Sequence, residues 1–100
     1  MDTVSIDCST LYSQLGCAGS PLLLDVRRAP AFEADPTVIA GALRPPGDAV
    51  TFASAHAKGN PVVVYCVHGH EVSQDAARRI ASAGHSVSFL AGGIEARRAA

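Results

Sequence analysis

Tryptophan is absent from this sequence, and aromatic residues make up only 5% of it. Any core must therefore be assembled from Val, Leu, Ile and Ala. Apolar residues are 48% and charged ones 17%, enough to bury a core and too apolar for a disordered chain. Long apolar runs are missing. None approaches the roughly 18–20 residues of a membrane span, so no membrane partner is expected. Neither sign of charge dominates, with 8 Lys and Arg against 9 Asp and Glu. The basic pairs Arg27-Arg28, Arg78-Arg79 and Arg97-Arg98 stand apart, without interleaved aromatics. Nucleic acid is therefore not an expected partner. The opening MDTVSIDCST lacks the basic and apolar regions of a signal peptide, which gives a cytoplasmic expectation. Cysteine is scarce: Cys8, Cys17 and Cys66. An odd number at irregular spacing is a poor disulfide framework. The simplest reading is three free thiols, Cys8 and Cys17 packing as small hydrophobes, with a Cys8–Cys17 bridge as the alternative.

What is present is an alternation of strand and helix signals over a single domain, residues 1–100. Val4–Ile6 reads as a short edge strand. A helix capped by Ser9 or Thr10 follows, ended by Gly16, and Gly19-Ser20-Pro21 reads as a turn. Leu22–Val26 reads as a strand buried on both faces, and Pro30–Glu33 as a brief helix. Val38–Leu43 is another apolar stretch, stopped by Pro45-Pro46-Gly47. Asp48 is placed to cap a helix that ends before Gly59. Val62–Tyr65 is the clearest strand. Residues 73–83 read as an amphipathic helix with Ala76, Ala77, Ile80 and Ala81 on one face and Gly84 at its end. Ser86–Leu90 is a strand, and Gly92-Gly93 leads into a short terminal helix. The alternation predicts an α/β, three-layer domain. Its central, mostly parallel sheet has helices on both faces and right-handed crossovers.

Ligands in such sheets bind beyond the carboxyl ends of the strands, and Cys66 stands at such an end. A loop running from a strand into a helix can turn several N–H groups inward. The unpaired amides and dipole of the helix N-terminus add positive potential. A thiol in that cradle favours the thiolate, which is the nucleophilic form. Gly69 permits the tight turn this requires. The bland reading of Cys66 is a packed strand-end thiol. That of His68 and His70 is a pair of exposed loop residues, against local positive charge or proton transfer. Cys66, His68 and His70, completed by His56, His85 or Cys8, could also form a zinc set, although the spacing is not a standard one. A phosphatase or arsenate reductase loop needs an arginine at position 72, which is Val72. Asp25 and Arg27, at another strand's end, read as a structural ion pair or cap. Whether Arg27 or Arg28 reaches the pocket is left open.

Several pieces in order resemble a single-domain rhodanese-like sulfurtransferase over nearly the whole chain. They are Leu24-Asp25-Val26-Arg27 followed by Phe32, then Ile39-Ala40-Gly41-Ala42, then Val62–Cys66 with His68-Gly69, and last Gly92-Gly93-Ile94. The resemblance implies a rhodanese-like domain with a five-stranded sheet. It implies Cys66 as the catalytic residue, carrying sulfane sulfur as a persulfide from thiosulfate or another persulfide to a thiophilic acceptor. It implies that Val67, His68, Gly69, His70, Glu71 and Val72 ring the sulfur and bind substrate. The partners are a small sulfur donor and a thiol or cyanide acceptor, a protein acceptor included, with no metal and no cofactor. The departures are specific. The loop lacks the Arg or Lys that many members carry and holds Glu71 instead, a carboxylate that repels thiosulfate and raises a thiol pKa. Val38 replaces a histidine, Ala31 a glutamate, and no tryptophan follows Gly-Gly-Ile. The alternative class is a weakly catalytic module that binds a partner or senses redox or metal state through Cys66.

Overall fold

The computed structural model describes residues 4–15 and 20–99. In chain order the elements are β1 (Val4–Ile6), α1 (Cys8–Gln14), β2 (Leu22–Asp25), α2 (Ala29–Ala34), α3 (Ala49–His56), β3 (Val62–Tyr65), α4 (Glu71–Ser82), β4 (Val87–Leu90) and α5 (Gly93–Ala99). Gly16, Cys17, Gly19 and the side chains of Arg97 and Arg98, singled out above, lie outside the described residues. The strands form a four-stranded sheet in the order β1-β4-β3-β2, and every pairing is parallel. All carboxyl ends therefore share one edge.

Side-chain alternation along the strands sorts the core into two halves. Leu24, Val62 and Val64 pack with Ala53 and Ala57 at α3 and with Ala76, Ala77 and Ile80 of α4. Leu23, Val63, Tyr65 and Leu90 pack on the other face with Leu11 of α1, Ile94 of α5 and Ile39. β3 is buried at every position, as its unbroken Val-Val-Val-Tyr run requires. This is the predicted three-layer α/β arrangement. The stretch 38–43 contributes an isolated bridge, Leu24 to Leu43, where a fifth strand was expected. The reason is local. The Ala42 amide donates back to the Ile39 carbonyl, and Gly41 takes φ +87°, so the chain curls before it can run along β2. The Tyr65 hydroxyl holds the curl by accepting from the Ile39 amide at 3.1 Å. Burial first, then the nearby Asp25 carboxylate, push this phenol up to about 12, although the Ile39 amide and Arg27 act the other way. It stays neutral throughout the physiological range.

Capping explains two displaced boundaries. Asp7, rather than Ser9 or Thr10, caps α1 by accepting from the Thr10 amide at 2.7 Å. Asp48 caps α3 as predicted, accepting from the Thr51 amide at 3.0 Å, and also binds Arg79 of α4 at 2.8 Å. α4 begins at Glu71, two residues before the predicted Ser73, its first turn closed by the Gln74 amide donating to the His70 carbonyl at 3.1 Å.

At the end of β2, Asp25 is fully buried and Arg27 nearly so. The Arg27 Nε donates to both Asp25 carboxylate oxygens, and Nη2 donates to Oδ2 at 2.7 Å. Its remaining contacts are the carbonyls of Asp35 and Thr37, each at 2.8 Å. Arg44 donates to the Asp25 and Arg27 carbonyls, and both guanidiniums lie over the Phe32 ring. The structural reading of this pair therefore holds, and it fastens the α2 segment to the sheet. Removing one member of a buried pair leaves the other charge uncompensated. Asp25→Ala is expected to lower unfolding free energy by about 3–5 kcal/mol in urea titration. A loss below about 1 kcal/mol would contradict the role given to the pair.

Candidate functional site

Alternation along β3 sends Val62 and Val64 to the α4 side, and Cys66 continues that parity just past the strand. Its Sγ reaches the first turn of α4, 3.2 Å from Ser73 Oγ. In the thiol form Sγ–H donates to that oxygen. In the thiolate form the Ser73 hydroxyl turns and donates to sulfur. The amides of Ser73, Gly69 and His70 also hydrogen-bond the sulfur. Burial is the largest single influence and pushes the thiol up. The Ser73 hydroxyl and the three amides together outweigh it, so the pKa is lowered from its ordinary value.

Cys66 is 6% exposed, yet it lies on the wall of an open cavity of about 270 Å³. Val67, His68, His70, Glu71 and Val72 line the same cavity, and Arg27, Arg28 and Ala31 face them from the β2–α2 side. The predicted loop residues are thus gathered around the thiol's opening, with one division of labour. Gly69 does not line the cavity; it turns its amide to sulfur at φ +76°. The amides of Gly69 and His70, within residues 67–72, and that of Ser73, just beyond them, lower the thiol pKa. His68 and His70 are exposed, with ring centroids 6.2 Å apart. Among the described residues no group of three His, Cys, Asp or Glu is arranged to hold a metal, so the zinc set is not assembled.

The loop is fixed from behind by Gly92-Gly93. The Ile94 amide donates to the Cys66 carbonyl at 2.9 Å and the Glu95 amide to that of Val67 at 3.1 Å. The backbones approach so closely that a Cβ on Gly93 would fall 2.4 Å from the Cys66 carbonyl oxygen. A Cβ on Gly69 would fall 2.6 Å from the Gly92 amide nitrogen. The two glycine motifs, more than twenty residues apart in the chain, therefore interlock.

Sequence reasoning did not single out Ser73 as part of the site. A signal existed. Ser73, Ala76, Ala77 and Ile80 follow the i, i+3, i+4, i+7 pattern of one helix stripe, and Ser73 is its only polar member. A fully buried hydroxyl on an apolar stripe needs a partner, and Cys66 supplies it. Arg27 was weighed as a charge for the pocket; it lines the cavity with its donors committed to Asp25 and two carbonyls.

Comparison with known proteins agrees with this architecture. Residues 8–100 match the family model described as "Rhodanese-like domain". A search of curated proteins found no match. Among solved structures, the chain is similar to the Alr3790 protein from Anabaena sp., at 33% identity and a TM-score of 0.76, covering 94% of this chain and 76% of that one. It is also similar to a full-length protein from Lactobacillus plantarum, at 30% identity and a TM-score of 0.78, covering 96% and 82%. Reduced CoADR-RHD from Bacillus anthracis shares the fold at 18% identity and a TM-score of 0.72; the match covers 94% of this chain but only 16% of that protein.

The hydrogen bonding at Sγ has a measurable consequence. Alkylation by iodoacetamide requires the thiolate, so its rate rises with pH through the Cys66 pKa and levels off above it. The midpoint is expected below that of an ordinary thiol and should move upward in Ser73→Ala. A midpoint unmoved by that substitution would remove the hydroxyl from the account.

Proposed function

The chain belongs to the rhodanese-like domain family, and from that premise we propose that it is a sulfurtransferase whose sulfur carrier is Cys66. One observation carries the reading. A single sulfur, on the wall of an open cavity, is hydrogen-bonded by the Ser73 hydroxyl and by three main-chain amides. Those donors favour the thiolate, and they equally favour a persulfide anion formed on it, as oxyanion-hole donors do for oxygen.

The chemistry balances on the chain's own nucleophile. The Cys66 thiolate attacks the outer sulfur of thiosulfate or of a persulfide. The Sγ–S bond forms as the donor's S–S bond breaks, and the electron pair leaves with sulfite or with the donor thiolate. The enzyme then holds Cys66–Sγ–S⁻. A thiol or cyanide acceptor attacks the outer sulfur, and the electron pair of the broken bond returns to Sγ. Sulfane sulfur moves without an external oxidant or reductant, so the balance closes without a cofactor. A protein thiol is an acceptor of the same chemistry.

The charge around the cavity bears on the donor. The loop contains no Arg or Lys, and Glu71 lines the opening. A dianion such as thiosulfate meets that carboxylate directly, whereas a thiol-bound sulfur does not carry the same repulsion. A persulfide donor is therefore the better fit.

Incubation with a sulfur donor is expected to add one sulfur atom to the intact mass of the native chain, and none to Cys66→Ala. A native chain that gains no sulfur from thiosulfate, polysulfide or a small persulfide would sink the proposal. Glu71→Arg is expected to raise kcat/KM for thiosulfate about tenfold at low ionic strength, with the gain shrinking as salt is added. Equal values for the two proteins would mean that Glu71 does not act on the donor.

A further inference from the structure

A second cavity, of about 440 Å³, adjoins the one at Cys66, and the two share Arg27, Arg28, Glu71 and Val72 as walls. Five arginines and four acids line the larger space, and nearly all are already matched. Arg27 and Arg44 engage Asp25, at 2.7 and 3.6 Å. Arg78 pairs with Asp75 at 3.8 Å, and Arg79 with Asp48 at 2.8 Å. Of the charged side chains that line this cavity, this leaves one cation and one anion without an ion pair or hydrogen bond, Arg28 and Glu71. Both are exposed, both line both cavities, and they do not pair with each other. In the smaller cavity they share the lining with Cys66 and with Ala31, Val67 and Val72, apolar side chains that suit a methylene group.

A ligand with a carboxylate alone meets Arg28 favourably and Glu71 unfavourably. One with an ammonium alone meets the reverse. A ligand carrying both charges on adjacent atoms satisfies both residues. We propose that the thiol exchanged at Cys66 bears an α-amino acid headgroup, with its carboxylate at Arg28 and its ammonium at Glu71. This rests on the sulfur-transfer reading above and adds the substrate class. In the exchange, the outer sulfur of Cys66–Sγ–S⁻ takes the proton that the acceptor thiol gives up, and the resulting acceptor thiolate attacks that sulfur. The new S–S bond forms on the acceptor, the Sγ–S bond breaks, and its electron pair leaves Cys66 as the thiolate. The acceptor departs as its persulfide.

Three related thiols test it: cysteine, 3-mercaptopropionate without the ammonium, and cysteamine without the carboxylate. The full chain is loaded with inorganic polysulfide, which gives up one terminal sulfur to Cys66 and is then removed. Loss of that sulfur to each thiol is followed by intact mass. Each thiol is compared only with itself, native against variant, so differences in intrinsic reactivity cancel. Arg28→Gln should slow cysteine and 3-mercaptopropionate about fivefold at low ionic strength without slowing cysteamine. Glu71→Gln should slow cysteine and cysteamine by a similar factor without slowing 3-mercaptopropionate. Arg28→Lys, which keeps the charge, should restore most of the native rates. A variant that changes all three thiols alike, or none of them, overturns the assignment. A native chain that never gains sulfur from polysulfide overturns the sulfur-transfer reading itself, whereas loading without the crossed pattern overturns only the headgroup.

Discussion

The close approach of two main-chain segments governs this structure. Gly69 and Gly92-Gly93 press together at distances that leave no room for a Cβ on either side. Amides at the start of α5 bind the carbonyls of Cys66 and Val67. On the cavity side of the same loop, the amides of Gly69 and His70 favour the thiolate. The shape of the loop, and hence the potential at the sulfur, follows from contacts made on the far side of the loop from the cavity. The Gly-Gly-Ile segment thus shapes the site although it does not line the cavity.

The sheet provides the second constraint. Its parallel strands bring Asp25, Tyr65 and Leu90 to one edge, each fully buried. Asp25 draws in Arg27, which lines the cavity opposite the Cys66 loop, and Arg44 and Phe32 complete the cluster. Tyr65 faces away from the cavity and anchors the curled segment that ends in Leu43. One strand thus serves two purposes through its alternation, with the Cys66 thiol on one side and the anchor on the other.

Charge at the site is distributed unusually for a loop of this kind. Dipoles supply most of what the sulfur sees, because the loop has no cation of its own. Arg27, the buried cation beside the cavity, is fully occupied with Asp25 and two carbonyls. That leaves discrimination to the exposed rim, where opposite charges face the same space. Such charges act weakly in water and respond to salt, which suits the selectivity role proposed for them.

Much of this was legible in the residues themselves. The unbroken Val62–Tyr65 run fixed β3, the alternation of elements fixed the parallel α/β class, and the thiol after the strand marked the cavity. The order of short glycine-bearing motifs pointed to the family. These are local properties: hydrophobic period, turn chemistry and spacing along the chain. Tertiary contacts decided the rest. The stretch 38–43 has strand-like composition but curls at Gly41, since its pairing with β2 is limited to Leu43. Ser73 read only as the start of a helix, and it meets the sulfur because packing of α4 on the sheet turns its face toward Cys66. Arg28 and Glu71 lie more than forty residues apart, and only the fold brings them to shared cavities. Which charges remain unmatched depends on where every other charge has gone, and a linear pattern does not carry that sum.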